Sequence, residues 1–193
     1  KVEIPGIKEV VRVKLNTSYD LFNYGDKQFS NLQTYYADPS FFSMFDFKIL
    51  NGNSQQPFAN DHSIIITQSM ATKFFCNTEP IGKIIVADNK EIFIVNGIMA
   101  DFPDNSTLHC DILFPFDLLK KDYFPGGFWP SLNEDWGDFN YRTFFEILPG
   151  SSLNQTEKKL SALGNKHYER KLDKVYSFQL FKNTNLNGPE GGV

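Results

Sequence analysis

Cysteine and histidine are scarce in this chain. Its 193 residues carry two cysteines, Cys76 and Cys110, and three histidines, His62, His109 and His167. The histidines are scattered and no HExxH or CxxC occurs, so the short-spaced ligand pairs of a metal centre are missing. His109, Cys110 and Asp111 are adjacent, but a strand sends neighbours to opposite faces and keeps all three from one ion. Asp101, Asp104 and Asp111 lack the alternation of a calcium loop and read as turn residues. No GxSxG elbow, Walker loop or GxGxxG occurs, which leaves nucleophilic catalysis and phosphate cradling without a frame. No metal and no cofactor is therefore expected. Basic runs are absent as well. A net charge of -4 and a pI near 5.4 exclude a phosphate-reading surface, so no nucleic-acid partner is expected. Apolar runs stop at strand length, as in Ile64–Thr67, far short of the about 20 residues of a membrane span. A disulfide between the two cysteines would need an oxidising compartment and close Cα atoms, and two separate buried thiols are the simpler expectation.

Aromatic residues are abundant: 20 Phe, 8 Tyr and 2 Trp. Large rings favour strands and supply most of a core's buried area. Glu9–Leu15 alternates weakly and reads as a strand, with Lys27–Tyr36 as its hairpin partner across a turn at Asn23, Gly25 and Asp26. Asp38-Pro39 reads as a helix cap and first helical position ahead of Phe41, Phe42, Met44 and Phe45. Ser63–Thr67 reads as a short buried strand, and Thr67 as the cap of a helix over Gln68–Phe75 with Met70, Phe74 and Phe75 inward. Lys83–Val86 and Ile92–Ile98 read as strands around an Asp88-Asn89 turn. Gly97 marks a bulge or a close backbone approach. Asp111–Phe116 and Tyr141–Leu148 read as strands, separated by a long aromatic loop over Tyr123–Asp138. Leu153–Leu172 reads as a helix with Leu153, Leu160, Leu163 and Tyr168 near one face, and Val175–Phe181 as a last strand.

From Tyr35 to Phe116 the chain reads YYADPSFFSMFDFKILNGN, SIIITQSMATKFF, EPIGKII and IFIVNGIMADFPDNSTLHCDILFPF. These phrases, in this order, resemble the periplasmic core domain of MacB-like ABC transporter permeases of the FtsX/LolE type. One departure stands out. Where the family usually has glycine after the helix, this chain has Cys76, which leaves Asn77 to end the helix in a left-handed conformation.

The residues alone support an α+β fold. The resemblance implies two lobes: a discontinuous ferredoxin-like, porter-type lobe from residues 1–37 and 139–193, and a small α/β lobe inserted over 38–138. It also implies a non-catalytic domain on the periplasmic side of the inner membrane. Its partners would be an ABC ATPase subunit or domain acting through the transmembrane part, a second permease copy, and a periplasmic protein or exported cargo. The lack of a Walker loop agrees with an ATPase encoded elsewhere. The start at Lys1 without Met and the loose GPEGGV end suggest a segment of a longer protein. In the aromatic loop, Phe128, Trp129 and Trp136 are candidate anchors of a partner surface; core filling would use the same rings. Two other readings remain open here. One is an extracellular carbohydrate- or peptide-binding module using those aromatics. The other is an enzyme using carboxylates among Glu134, Asp135 and Asp138.

Overall fold

The computed structural model describes residues 4–104, 106, 108–122, 131–132, 141–167 and 177. Along the chain run β1 (Ile7–Leu15), β2 (Phe22–Tyr24), β3 (Lys27–Phe29), β4 (Thr34–Ala37), α1 (Phe41–Met44), β5 (Ile49–Gly52), β6 (Ser63–Thr67) and α2 (Gln68–Phe75). Then follow β7 (Ile84–Ala87), β8 (Glu91–Met99), β9 (Ile112–Pro115), a 3-10 helix (Phe116–Asp122), β10 (Arg142–Ile147) and α3 (Leu153–His167). The described strands form one mixed sheet in the order β10-β1-β4-β9-β6-β8-β7-β2-β3, with β5 also paired to β8. The fold is α+β.

Central strands are buried on both faces, which is why they read as unbroken apolar runs. In β6, Ile64 and Ile66 enter one core while Ile65 enters the other; in β9, Ile112 and Phe114 part from Leu113 in the same way. The first core is roofed by α2 and the 3-10 helix through Met70, Phe74, Phe75, Phe116 and Leu119. The second is closed by Phe41 and Phe42 of α1 together with Phe58 and Leu108. Leu132, from the long loop, is buried in the first core.

The expected hairpin between Glu9–Leu15 and Lys27–Tyr36 does not form. Asn31 has a positive φ of 57° and breaks the second run in two. Lys27–Phe29 instead pairs β2, while Thr34–Ala37 pairs β1 on one side and β9 on the other. The Asp88-Asn89 turn forms as read, with φ of 48° and 57° and Lys90 N donating to Ala87 O at 3.0 Å, inside a three-residue connection between the partners Ala87 and Glu91. At Gly97 the β6–β8 register shifts between Ile64 and Ile65, and an added Cβ would lie 2.7 Å from Ile65 Cδ1. Both the bulge and the close approach are present.

Thr67 caps α2, its Oγ1 accepting from Met70 N at 3.3 Å. The other end departs from expectation. Cys76 itself takes the positive φ, at 55° with ψ of -110°, a region that glycine occupies without strain. Lys27 Nζ compensates by donating to the orphan carbonyls of Lys73 and Phe74 at 3.3 and 3.0 Å. Relief of this strain makes Cys76→Gly stabilising by about 1 kcal/mol, after the greater freedom that glycine gives the unfolded chain is offset. Urea unfolding measures it, and an unchanged or lower midpoint contradicts the strain.

Asp38 is not a helix cap either: Ser40 holds that position, and its Oγ donates to Val10 O at 2.9 Å instead of capping the helix. The Asp38 carboxylate is taken by Arg12. In α3, Leu153 is exposed, Leu160 and Leu163 are half-buried, and the buried positions are Thr156 and Gly164. Tyr168 and the expected last strand lie outside the described residues, apart from Ser177.

Candidate interaction surface

Phe128, Trp129 and Trp136 lie outside the described residues, as do Glu134, Asp135 and Asp138. The described residues do show what the remaining polar groups are used for.

The N-terminus of α2 is the natural anion site of the fold, since its free N–H groups and dipole favour negative charge. Asp101 occupies it, accepting from Ser69 N at 3.0 Å and Ser69 Oγ at 2.8 Å. Asp111 is committed elsewhere, accepting from Gln33 N at 2.9 Å. The loose acidic group of the sequence is thereby divided between two structural tasks, and no cluster of His, Cys, Asp or Glu fit for a metal occurs among the described residues.

His62 lies on the surface beside Asp61, with Nδ1 2.9 Å from Oδ1 and Nε2 3.8 Å from Glu91 Oε2. The hydrogen bond to His62 holds the Asp61 carboxyl below its usual range. Lys121 extends the chain of charges, 3.5 Å from Glu91 Oε1 and 2.7 Å from Tyr19 Oη. Burial works against its charge, but the Tyr19 and Glu91 contacts prevail and raise its pKa. The carboxylates here pair with His62 and Lys121 and the Tyr19 hydroxyl with Lys121, and the imidazole meets no nucleophile in these contacts.

Both cysteines are free. Cys110 is enclosed in the second core, where burial pushes its thiol well above the usual range and makes it inert. Cys76, expected to be buried, is exposed because it sits past the end of α2, with Sγ 3.2 Å from Lys27 Nζ.

Two concavities among the described residues are small. A partly open gap of about 10 Å³ lies among Val13, Tyr35, Phe41, Leu108 and Cys110, and one of about 190 Å³ opens widely beside Cys76. Neither reaches the roughly 300 Å³ at which small-molecule sites begin.

The sheet's own surface carries a feature that the sequence reading missed. Ile84, Ile92 and Ile94 are 49%, 52% and 41% exposed, and Ile84 and Ile94 are direct cross-strand partners. Their neighbours Ile85, Phe93 and Val95 face the first core. A half-covered hairpin normally alternates apolar with polar residues. Here KIIVA and EIFIV keep aliphatic residues on both faces. That missing alternation was the available signal.

No relative among curated protein sequences matches the chain. Solved structures do. A domain assigned to a permease protein from Porphyromonas gingivalis aligns with a TM-score of 0.73 at 23% identity, over 87% of this chain and 68% of that one. The periplasmic region of MacB from Actinobacillus actinomycetemcomitans aligns at 0.60 and 19% identity, over 84% of this chain and 69% of that one. The extracellular domain of YknZ, a noncanonic ABC-type transporter from Gram-positive bacteria, aligns at 0.59 and 18%, over 84% of this chain and 77% of that one. These likenesses fix the fold, and the sequence profile of the MacB-like periplasmic core domain covers residues 1–163. With that span matched, the chain belongs to the MacB-like periplasmic core domain family of ABC transporter permeases.

Proposed function

We propose that this domain is a non-catalytic coupling element held outside the inner membrane. ATP hydrolysis by a cytoplasmic ABC subunit or domain moves it through the transmembrane part, and it moves cargo or a periplasmic partner in turn. It works as one of a pair with a second permease copy. A single observation carries this reading beyond family membership: the central strands β6 and β9 are buried throughout. Close-packed interiors transmit displacement with little loss.

The two-lobe division belongs to the same proposal. A porter-type lobe from residues 1–37 and 139–193 would hold β10, β1 and β4, and the inserted lobe over 38–138 would hold β9, β6, β8, β7 and β5. The β2–β3 hairpin comes from the first segment yet pairs β7, so it straps one lobe to the other. Phe128, Trp129 and Trp136 remain the proposed partner surface.

Exposed Cys76 provides a native handle for the test. A spin probe attached there in the parent permease, with its ATPase present, reads the separation between the two copies by pulsed electron resonance. The expected result is a distance distribution that shifts on ATP binding. An identical distribution with and without nucleotide overturns the coupling role.

A further inference from the structure

We propose that Arg12 pins a joint at which both chain crossings between the two lobes are tied together. The inference rests on the two-lobe reading above and adds to it the residues that hold the lobes in register.

Arg12 lies in β1. Its backbone N–H donates to Asp38 Oδ2 at 2.8 Å, its Nε to the same oxygen at 2.9 Å, and its Nη2 to Asp38 Oδ1 at 2.8 Å. In return Asp38 N donates to Arg12 O at 3.2 Å. Asp38 is the first residue past β4. Its side chain thus takes the place of the next backbone acceptor and ends the β1–β4 ladder as the chain departs at Pro39. This is the first crossing. The guanidinium lies over the ring of Phe116, 4.1 Å from its centroid. Phe116 follows β9 directly and opens the 3-10 helix. Tyr141 meets the other side of the arrangement, edge-on to Phe116 with centroids 5.4 Å apart. Tyr141 stands just before β10, at the second crossing. One side chain therefore touches the outgoing strand end and the ring that holds the returning one.

The chemistry suits a fixed joint. A planar guanidinium can fork a carboxylate and stack on a ring at once, whereas an ammonium cannot do both. The side chains of Arg12 and Asp38 are only 23% and 17% exposed, so water competes weakly for either. The adjoining ladders are short: three residue pairs join β1 to β4 and four join β4 to β9. Without the pin, the proposed lobes are joined along the sheet by the four β4–β9 pairs and by the two pairs of β2 with β7.

Hydrogen exchange on the 193-residue chain tests this. Arg12→Lys keeps the charge and loses the fork; Asp38→Asn keeps the shape and loses the charge. Both are expected to raise exchange about tenfold or more at the β4–β9 amides of Tyr35–Ala37 and Ile112–Phe114, by opening local to that seam. Amides of the β7–β8 hairpin are expected to change less than about threefold. The exposed Lys8–Glu146 pair, 2.7 Å apart between β1 and β10, provides a control, and Lys8→Ala should leave the seam unchanged. An equal rise across the whole sheet, or none at the seam in either variant, overturns the joint. The outcome is independent of the nucleotide-driven distance change. A local seam opening with no ATP response leaves the joint standing and removes the coupling role, and the reverse pair of results does the opposite.

Discussion

Gly52→Ala is expected to cost about 3–5 kcal/mol, a large share of the about 5–15 kcal/mol by which folded domains are stable. Two costs combine at this residue. Its φ of 106° lies where an L side chain is strained. A Cβ there would also run into the carbonyl oxygen of Asn96 and lie 2.8 Å from Gly97 Cα, both backbone atoms of β8. Neither can rotate away. Gly52 pairs Gly97 across the β5–β8 ladder, so relief would require β5 to peel off. The expected signature is a large fall in the urea midpoint. Gly25→Ala provides the comparison: that residue also has positive φ, at 56°, but nothing lies within 4 Å of its added Cβ, so only conformational strain is felt. Equal losses in the two variants would show that the close approach to β8 contributes nothing.

Phe114→Ala is expected to cost a further about 3–5 kcal/mol by a different mechanism, the loss of buried area together with an unfilled cavity. Phe114 is fully buried on β9. Its ring stands 4.8 Å from that of Phe93, 5.5 Å from Tyr19, 5.7 Å from Tyr36 and 6.3 Å from Phe22, centroid to centroid. Those rings come from β8, β4, β2 and the loop before β2, so one truncation loosens four segments. Phe114→Leu should restore most of the loss by refilling volume. Calorimetric or urea unfolding resolves both, and a loss below about 1 kcal/mol for alanine would mean that the first core repacks freely.

Local pattern carried much of this fold. Thr67 and the apolar spacing after it predict α2; Asp88-Asn89 predicts the hairpin; Gly97 predicts the close approach to Ile65. The first two depend on residues near one another in the chain, and a lone glycine marks the third without naming its partner. Long-range choices were illegible. The partner of β4 is decided by β9, some 78 residues later, and nothing in KQFSNLQTYY announces a parallel neighbour. Asp38 illustrates the same limit. Beside a proline it has the local grammar of a helix cap, yet a guanidinium 26 residues back outcompetes a backbone N–H for its carboxylate. The expected helix end at Asn77 fails for an energetic reason: Lys27 binds the last carbonyls of α2, and Cys76 itself takes the positive φ. On the functional side, the ordered phrases from Tyr35 to Phe116 were sufficient to indicate the family. The exposed isoleucines of β7 and β8 were readable only as a lack of alternation, a signal that buried strands share.

The strand order has a mechanical corollary. From β10 to β3 the described path takes eight steps of about 4.8 Å, so hydrogen-bonded backbone spans roughly 38 Å. Along that direction every step is a row of peptide groups, to which the fork of Arg12 on Asp38 adds a side-chain tie at the end of the β1–β4 ladder. Under the coupling role proposed above, a push applied at one rim would arrive at the opposite rim as a tilt of the whole plank, its amplitude growing with distance from the fulcrum.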